Sequence, residues 1–144
     1  MNKLRLLLIT SFIVSVLIIP TSSCKYKNGP LVSFRTRKAR LDGTWKLEKE
    51  FINGKETKGQ DLIEAQQSTG IMEFTKDGDY ILQDPDTGEF IKMKWEFSSD
   101  KKKIKFIYPE GDYSYAKILR LKNNSLWLKE DVGTSTVESH YVPA

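Results

Sequence analysis

The stretch FIKMKWEF, residues 90–97, decides the fold. Ile91, Met93, Trp95 and Phe97 alternate with Lys92, Lys94 and Glu96. A period of two puts the four apolar side chains on one face of a strand and the charges on the other. A helix would scatter them around its axis. The segment therefore reads as a strand with one buried and one wet face.

The same period runs outward in both directions. Upstream, GTWKLEKEF (43–51) sets Trp45, Leu47 and Phe51 on one face, and Met72 with Phe74 and Tyr80 with Leu82 follow. Downstream come Ile104, Phe106 and Tyr108, then Tyr113, Tyr115, Leu119 and Leu121 with Lys117 out of step. Leu126 with Leu128 and Val137 with Tyr141 complete eight candidate strands. The links KDG (76–78), DPDTGE (84–89), SSDKKK (98–103), PEGD (109–112) and KNNS (122–125) are short and made of turn formers. Only residues 53–70 form a long connection. Within it DLIEAQQ (61–67) reads as a short helix, with Asp61 capping its start, Glu64 three residues on, and Gly70 ending it. Eight consecutive antiparallel strands predict an all-β, up-and-down eight-stranded barrel with one short helix in the first long loop. Closure removes the exposed sheet edges.

Ahead of the strands the chain changes character. Lys3 and Arg5 precede an apolar run from Leu6 to Ile19, and Pro20 to Ser23 break it with small residues. That is the layout of a secretory signal; the run is short for a membrane-spanning helix, the other reading. Cys24 is the single cysteine, so no disulfide forms within the chain. TSSC (21–24) resembles the cleavage box of bacterial lipoproteins, with a threonine at 21 where leucine is commoner. The resemblance implies acylation of Cys24, and several acyl chains hold a membrane stably where one does not. Residues 25–41 carry Lys25, Lys27, Arg35, Arg37, Lys38 and Arg40 without an acid. They read as a tether, either a solvated linker or a segment lying on an anionic membrane. The expected division is 1–23 signal peptide, 24–40 acylated cysteine and basic tether, and 41–144 barrel.

Gly43-Thr44-Trp45, with MEFTKDGDYIL, WEFSSDKKKI and YAKILRLKNNSLWLKED in that order, resembles the small lipocalin-like lipoproteins of Bacteroidetes over residues 41–144. The resemblance implies that Gly43 and Trp45 belong to the closed base of the barrel, with Trp45 plugging it. The basic residue that packs across that Trp from the last strand has no counterpart here except His140, and the helix that follows the barrel in larger lipocalins is missing. A monomer is expected, and the resemblance further implies the bacterial envelope, with Cys24 holding the chain at the outer membrane, facing the periplasm.

Several functions are disfavoured by composition. One histidine excludes a His-rich zinc site, and His140 stands in antiphase to Val137 and Tyr141, hence outward rather than poised as a catalytic base. Asp84 and Asp86 alternate as calcium ligands do, without the rest of a calcium loop. No inward acid stands out for paired-carboxylate chemistry. The formal net charge of +4 and the scattered cations give no nucleic-acid face. No enzyme activity, cofactor or metal is expected.

Two readings remain. A small, largely apolar ligand would sit at the mouth among Phe51, Met72, Leu82, Met93, Tyr108, Tyr113 and Tyr115, with Leu62 and Ile63 on the helix as a lid. Alternatively the barrel is packed solid and the chain is an interaction or inhibitor module, with outward Trp127 marking an apolar patch. Strict alternation also assigns each loop to an end: the mouth loops are acidic, whereas the base turns and tether are basic.

Overall fold

A computed structural model describes residues 34–84 and 87–144. The signal segment, Cys24, Lys25, Lys27 and Asp86 lie outside the described residues.

Among the described residues nine strands run in order: β1 Gly43–Ile52, β2 Lys55–Glu56, β3 Ile71–Phe74, β4 Asp79–Gln83, β5 Phe90–Phe97, β6 Lys103–Ile107, β7 Tyr113–Lys122, β8 Ser125–Val132 and β9 Ser135–Pro143. From β3 onward each pairs antiparallel with the next, β3 pairs back onto β1, and β9 returns to β1. The result is a closed eight-stranded antiparallel barrel, with β2 a two-residue flap folded back on the end of β1. Two helices accompany it among the described residues, α1 Arg37–Leu41 and α2 Gln60–Thr69.

The inner face is filled unevenly. Along β5, Ile91 is 43% exposed near the mouth, Met93 is half-buried, and Trp95 is 4% exposed toward the base. Phe74, Ile104, Leu121 and Leu126 are fully buried with it. Phe74 sits 5.0 Å from the Tyr80 ring and meets Trp95 edge-on at 5.6 Å, a geometry aromatic pairs favour. The base is a packed core and the mouth is open.

The basic segment does not stay a tether up to Arg40. Arg37–Leu41 form α1, with the Thr36 hydroxyl accepting from the Ala39 N–H at its start. Leu41 is fully buried, Arg40 is buried, and the Trp45 indole Nε1 donates to the Leu41 carbonyl at 2.9 Å. The end of the expected tether therefore belongs to the floor of the barrel. A hydrophobic period is hard to detect in a one-turn helix of RKARL.

Two β-bulges overturn the expected phase of two strands. One lies between Leu47 and Lys49, so Phe51 pairs opposite Glu138 on the outer wall instead of following Leu47 inward. The other lies between Ile118 and Arg120. Below it Leu121 is inward; above it Ser114, Ala116 and Ile118 take the inner positions. Tyr113 and Tyr115 are 60% and 43% exposed, with Lys105 Nζ 4.9 Å and Lys103 Nζ 5.6 Å from their rings. An extra residue in one strand reverses the facing of everything beyond it. Phe51 meets a ladder across the outer wall. The Arg120 guanidinium lies 4.4 Å over Trp127, Trp127 stacks on His140 at 4.0 Å, and Phe51 lies 5.0 Å from His140. His140 Nε2 also contacts Glu138 at 2.8 Å. His140 and Trp127 are thus outward, with Trp127 sandwiched between neighbours.

The wall has a short seam. β3 pairs only with Gly43–Lys46, leaving the upper edge of β1 without a strand beside it. Other groups supply the missing hydrogen bonds. Gln66 Nε2 on α2 donates to the Leu47 carbonyl at 3.2 Å, the Thr57 N–H donates to the Glu50 carbonyl at 2.8 Å, and β2 pairs with Phe51 and Ile52. So α2 lies along the wall as part of it. Its start also differs from expectation: Gly59 is the N-cap without any side-chain cap, and Asp61 sits inside the first turn, where its charge suits the helix dipole. Gly70 ends the helix, its N–H bonding the Gln66 carbonyl at 3.1 Å.

Candidate functional site

The open half of the barrel holds a wide-mouthed cavity of about 590 Å³. That is within the size range of small-molecule pockets, ~300–1,000 Å³. Its deep wall comes from Met72, Tyr80, Phe106 and Leu128, each an inward position on β3, β4, β6 or β8. Tyr80 and Phe106 meet edge-on at 4.9 Å. Toward the mouth the wall continues through Leu82, Ile91, Met93 and Tyr108. The side chains are apolar or aromatic for a physical reason: alternation gives each strand one inner face, and the base side chains fill only the lower half of it.

The polar groups are few. The Tyr108 hydroxyl, just past the end of β6, and Ser114 Oγ on β7 are 3.1 Å apart. Glu130 on β8 and Glu110 on the β6–β7 turn complete the upper lining. Glu130 is exposed at the mouth, and desolvation by the walls on its inner side raises its carboxyl above the usual range. Burial, reinforced by Tyr141 and by the charge of Glu130, holds the Tyr80 phenol far above its ordinary value. Tyr141 is pushed up to about 12, mainly by burial, with a Ser139 hydrogen bond opposing and the charges of Glu130 and Glu50 adding to it. Both phenols therefore stay neutral at physiological pH and act as hydroxyl donors and acceptors.

Of the residues expected at the ligand site, Met72, Leu82, Met93 and Tyr108 come together on this cavity. Phe51, Tyr113 and Tyr115 face the other side of the wall, for the bulge reason given above. Leu62 is half-buried and Ile63 is 46% exposed on α2, and neither lines the cavity; α2 reaches it through Thr69. The expectation that no inward acid exists is corrected by Glu130. Its signal was present in LWLKE, since residues 126, 128 and 130 share one parity. Tyr80, Phe106, Leu128 and Tyr141 were legible as inward but not as cavity walls. Trp45, 2% exposed, and Gly43 lie at the opposite, packed end. Among the described residues no group of three or more His, Cys, Asp or Glu is placed to hold a metal ion.

A closed up-and-down barrel of eight strands is the architecture lipocalins use. Among solved structures the chain is similar to a lipocalin-like protein from Bacteroides uniformis. The two are 18% identical, the match covers 73% of this chain and 99% of that one, and the TM-score is 0.48. No family model matches the chain, and no curated protein matches it.

Proposed function

We propose that this chain is a lipid-anchored binding protein of the bacterial cell envelope, without catalytic activity, that holds a small, largely apolar ligand in the mouth cavity. One observation carries the binding reading: a cavity with apolar walls sits above a tightly packed base. A purely structural barrel of this size can fill itself with its own side chains. This one stops filling halfway. The cavity also disfavours the alternative of a solid interaction module. The anchor would be acylated Cys24, with the protein at the outer membrane facing the periplasm. The basic α1 end would lie toward anionic lipid and the acidic mouth away from it.

Two expected results test the two halves of the proposal. The neutral fluorophore N-phenyl-1-naphthylamine binds the wild-type chain saturably. Met93→Trp, which puts an indole into the cavity, weakens that binding by about tenfold or more, since overfilling costs about 1–3 kcal/mol. Unchanged binding by the variant places the fluorophore elsewhere and removes the cavity reading. Radiolabelled palmitate marks the wild type in growing cells and not Cys24→Ser. Equal labelling of both defeats the anchor.

A further inference from the structure

The cavity is chemically one-sided. Its polar lining consists of two carboxylates, Glu110 and Glu130, and the hydroxyls of Thr69, Tyr80, Tyr108, Ser114 and Tyr141. No Lys, Arg or His lines it. The chain is rich in lysine, but the strand register sends those side chains to the outer wall: Lys92 and Lys94 on β5, Lys103 and Lys105 on β6, Lys117 on β7 and Lys129 on β8. Glu130 shares the cavity wall with Tyr80 on β4, Tyr108 at the β6–β7 turn and Tyr141 on β9, and its charge acts on Tyr80 and Tyr141. Glu110 is the other acid of the lining, and no ion pair reaches Glu130 among the described residues.

A ligand that fills the mouth takes water from the exposed Glu130 carboxylate, which is costly without a cation beside it. A cation brought by the ligand would offset that cost. The aromatic rings around it add a second attraction of the same sign, because each presents a negative π face. An anionic head would meet two carboxylates and no donor stronger than a hydroxyl.

We propose that the ligand carries an alkylated ammonium group, seated against Glu130 between the rings of Tyr80, Tyr108 and Tyr141, with its apolar body against Met72, Leu82 and Met93. The proposal rests on the cavity being a ligand site and adds the charge of what fills it. The shared chemistry is the ammonium, whether it belongs to a free amine amphiphile or to a choline-type lipid headgroup. The two sources differ by a phosphate, which Glu110 and Glu130 would repel.

The test compares four ligands of one chain length below their micellar concentrations: decyltrimethylammonium, decanol, decanoate and decylphosphocholine. Each displaces N-phenyl-1-naphthylamine from the purified full chain. Decyltrimethylammonium is expected to bind about tenfold more tightly than decanol, with decanoate weakest, as a desolvated cation–π and charge contact would give. Decylphosphocholine falls between the cation and decanoate. Glu130→Gln keeps the side-chain size and cuts the advantage of the cation over decanol to about twofold, the ring contribution alone. If the fluorophore and decanol bind and the cation has no advantage, this inference is overturned while the cavity reading stands. Tighter binding of decanoate or decylphosphocholine than of the cation overturns it as well. If nothing displaces the fluorophore, or the fluorophore does not bind, the cavity reading falls and takes this inference with it. The wild-type comparison needs no variant to fold.

Discussion

Phe74→Ala lowers the stability of the barrel by about 3–5 kcal/mol, the range for deleting a buried aromatic ring. Phe74 has no solvent exposure and contacts Tyr80, Trp95 and Phe106 at ring distances of 5.0, 5.6 and 6.1 Å. It stands between the packed base and the cavity floor, since Tyr80 and Phe106 are also cavity walls. Removing it leaves a hole that rigid strands close poorly. For a domain of this size each kcal/mol lowers the thermal midpoint by roughly 4 °C or more, so the drop is on the order of 10–20 °C. Circular dichroism during heating measures it. Tyr113→Ala, on the outer wall, serves as the comparison and stays within about 0.5 kcal/mol of wild type. A larger loss from Tyr113→Ala than from Phe74→Ala would mean that the inner and outer faces have been exchanged.

A chain beginning at Gly43 does not fold cooperatively, whereas one beginning at Phe34 does. The shorter chain loses fully buried Leu41, whose truncation to alanine alone costs about 2–5 kcal/mol. It also takes away the carbonyl that accepts the Trp45 indole N–H, leaving a buried donor unpaired at about 1–3 kcal/mol. Together these approach the whole stability of a small domain, about 5–15 kcal/mol. The longer chain keeps α1 and its Thr36 cap. A sharp unfolding transition in the Gly43 chain would show that α1 merely rests on the base.

The fold was readable because each strand obeys one period and each turn carries its own chemistry. FIKMKWEF keeps its alternation unbroken and pairs with β4 and β6 without a register shift. The site was readable only where that period held. Met72, Leu82 and Met93 come from strands without bulges, Tyr108 directly follows one, and all four reach the cavity. Phe51 and Tyr113 with Tyr115 lie on the two bulged strands, and a bulge leaves little trace in composition. Lys117 was the trace on β7: its mismatch with Leu119 and Leu121 marked the place where parity changes. Glu130 was passed over for another reason. Alternation assigned it inward, but a carboxylate is normally placed in water unless something pairs with it. The role of α2 had no signal at all, because the shortness of β3 becomes evident only when β1 and β3 are laid side by side.

The pairing of β9 with β1 governs how the chain comes together in time. Tyr141, His140 and Val137, near the end of the chain, are the partners of Leu47, Lys49 and Ile52, near the start of the barrel. Contacts between distant parts of a chain form late, because the intervening loop must first be closed. The junctions from β3 to β9 join neighbours in sequence and can zip locally, hairpin by hairpin, while β1 meets β3 across the connection that holds β2 and α2. The ring itself stays open until β9 has been synthesised. Until then β1 has one bare edge, and the cavity, which takes Tyr141 as part of its wall, does not exist. An unfinished chain is therefore an incomplete sheet with no pocket, and ligand capture belongs to the finished molecule alone.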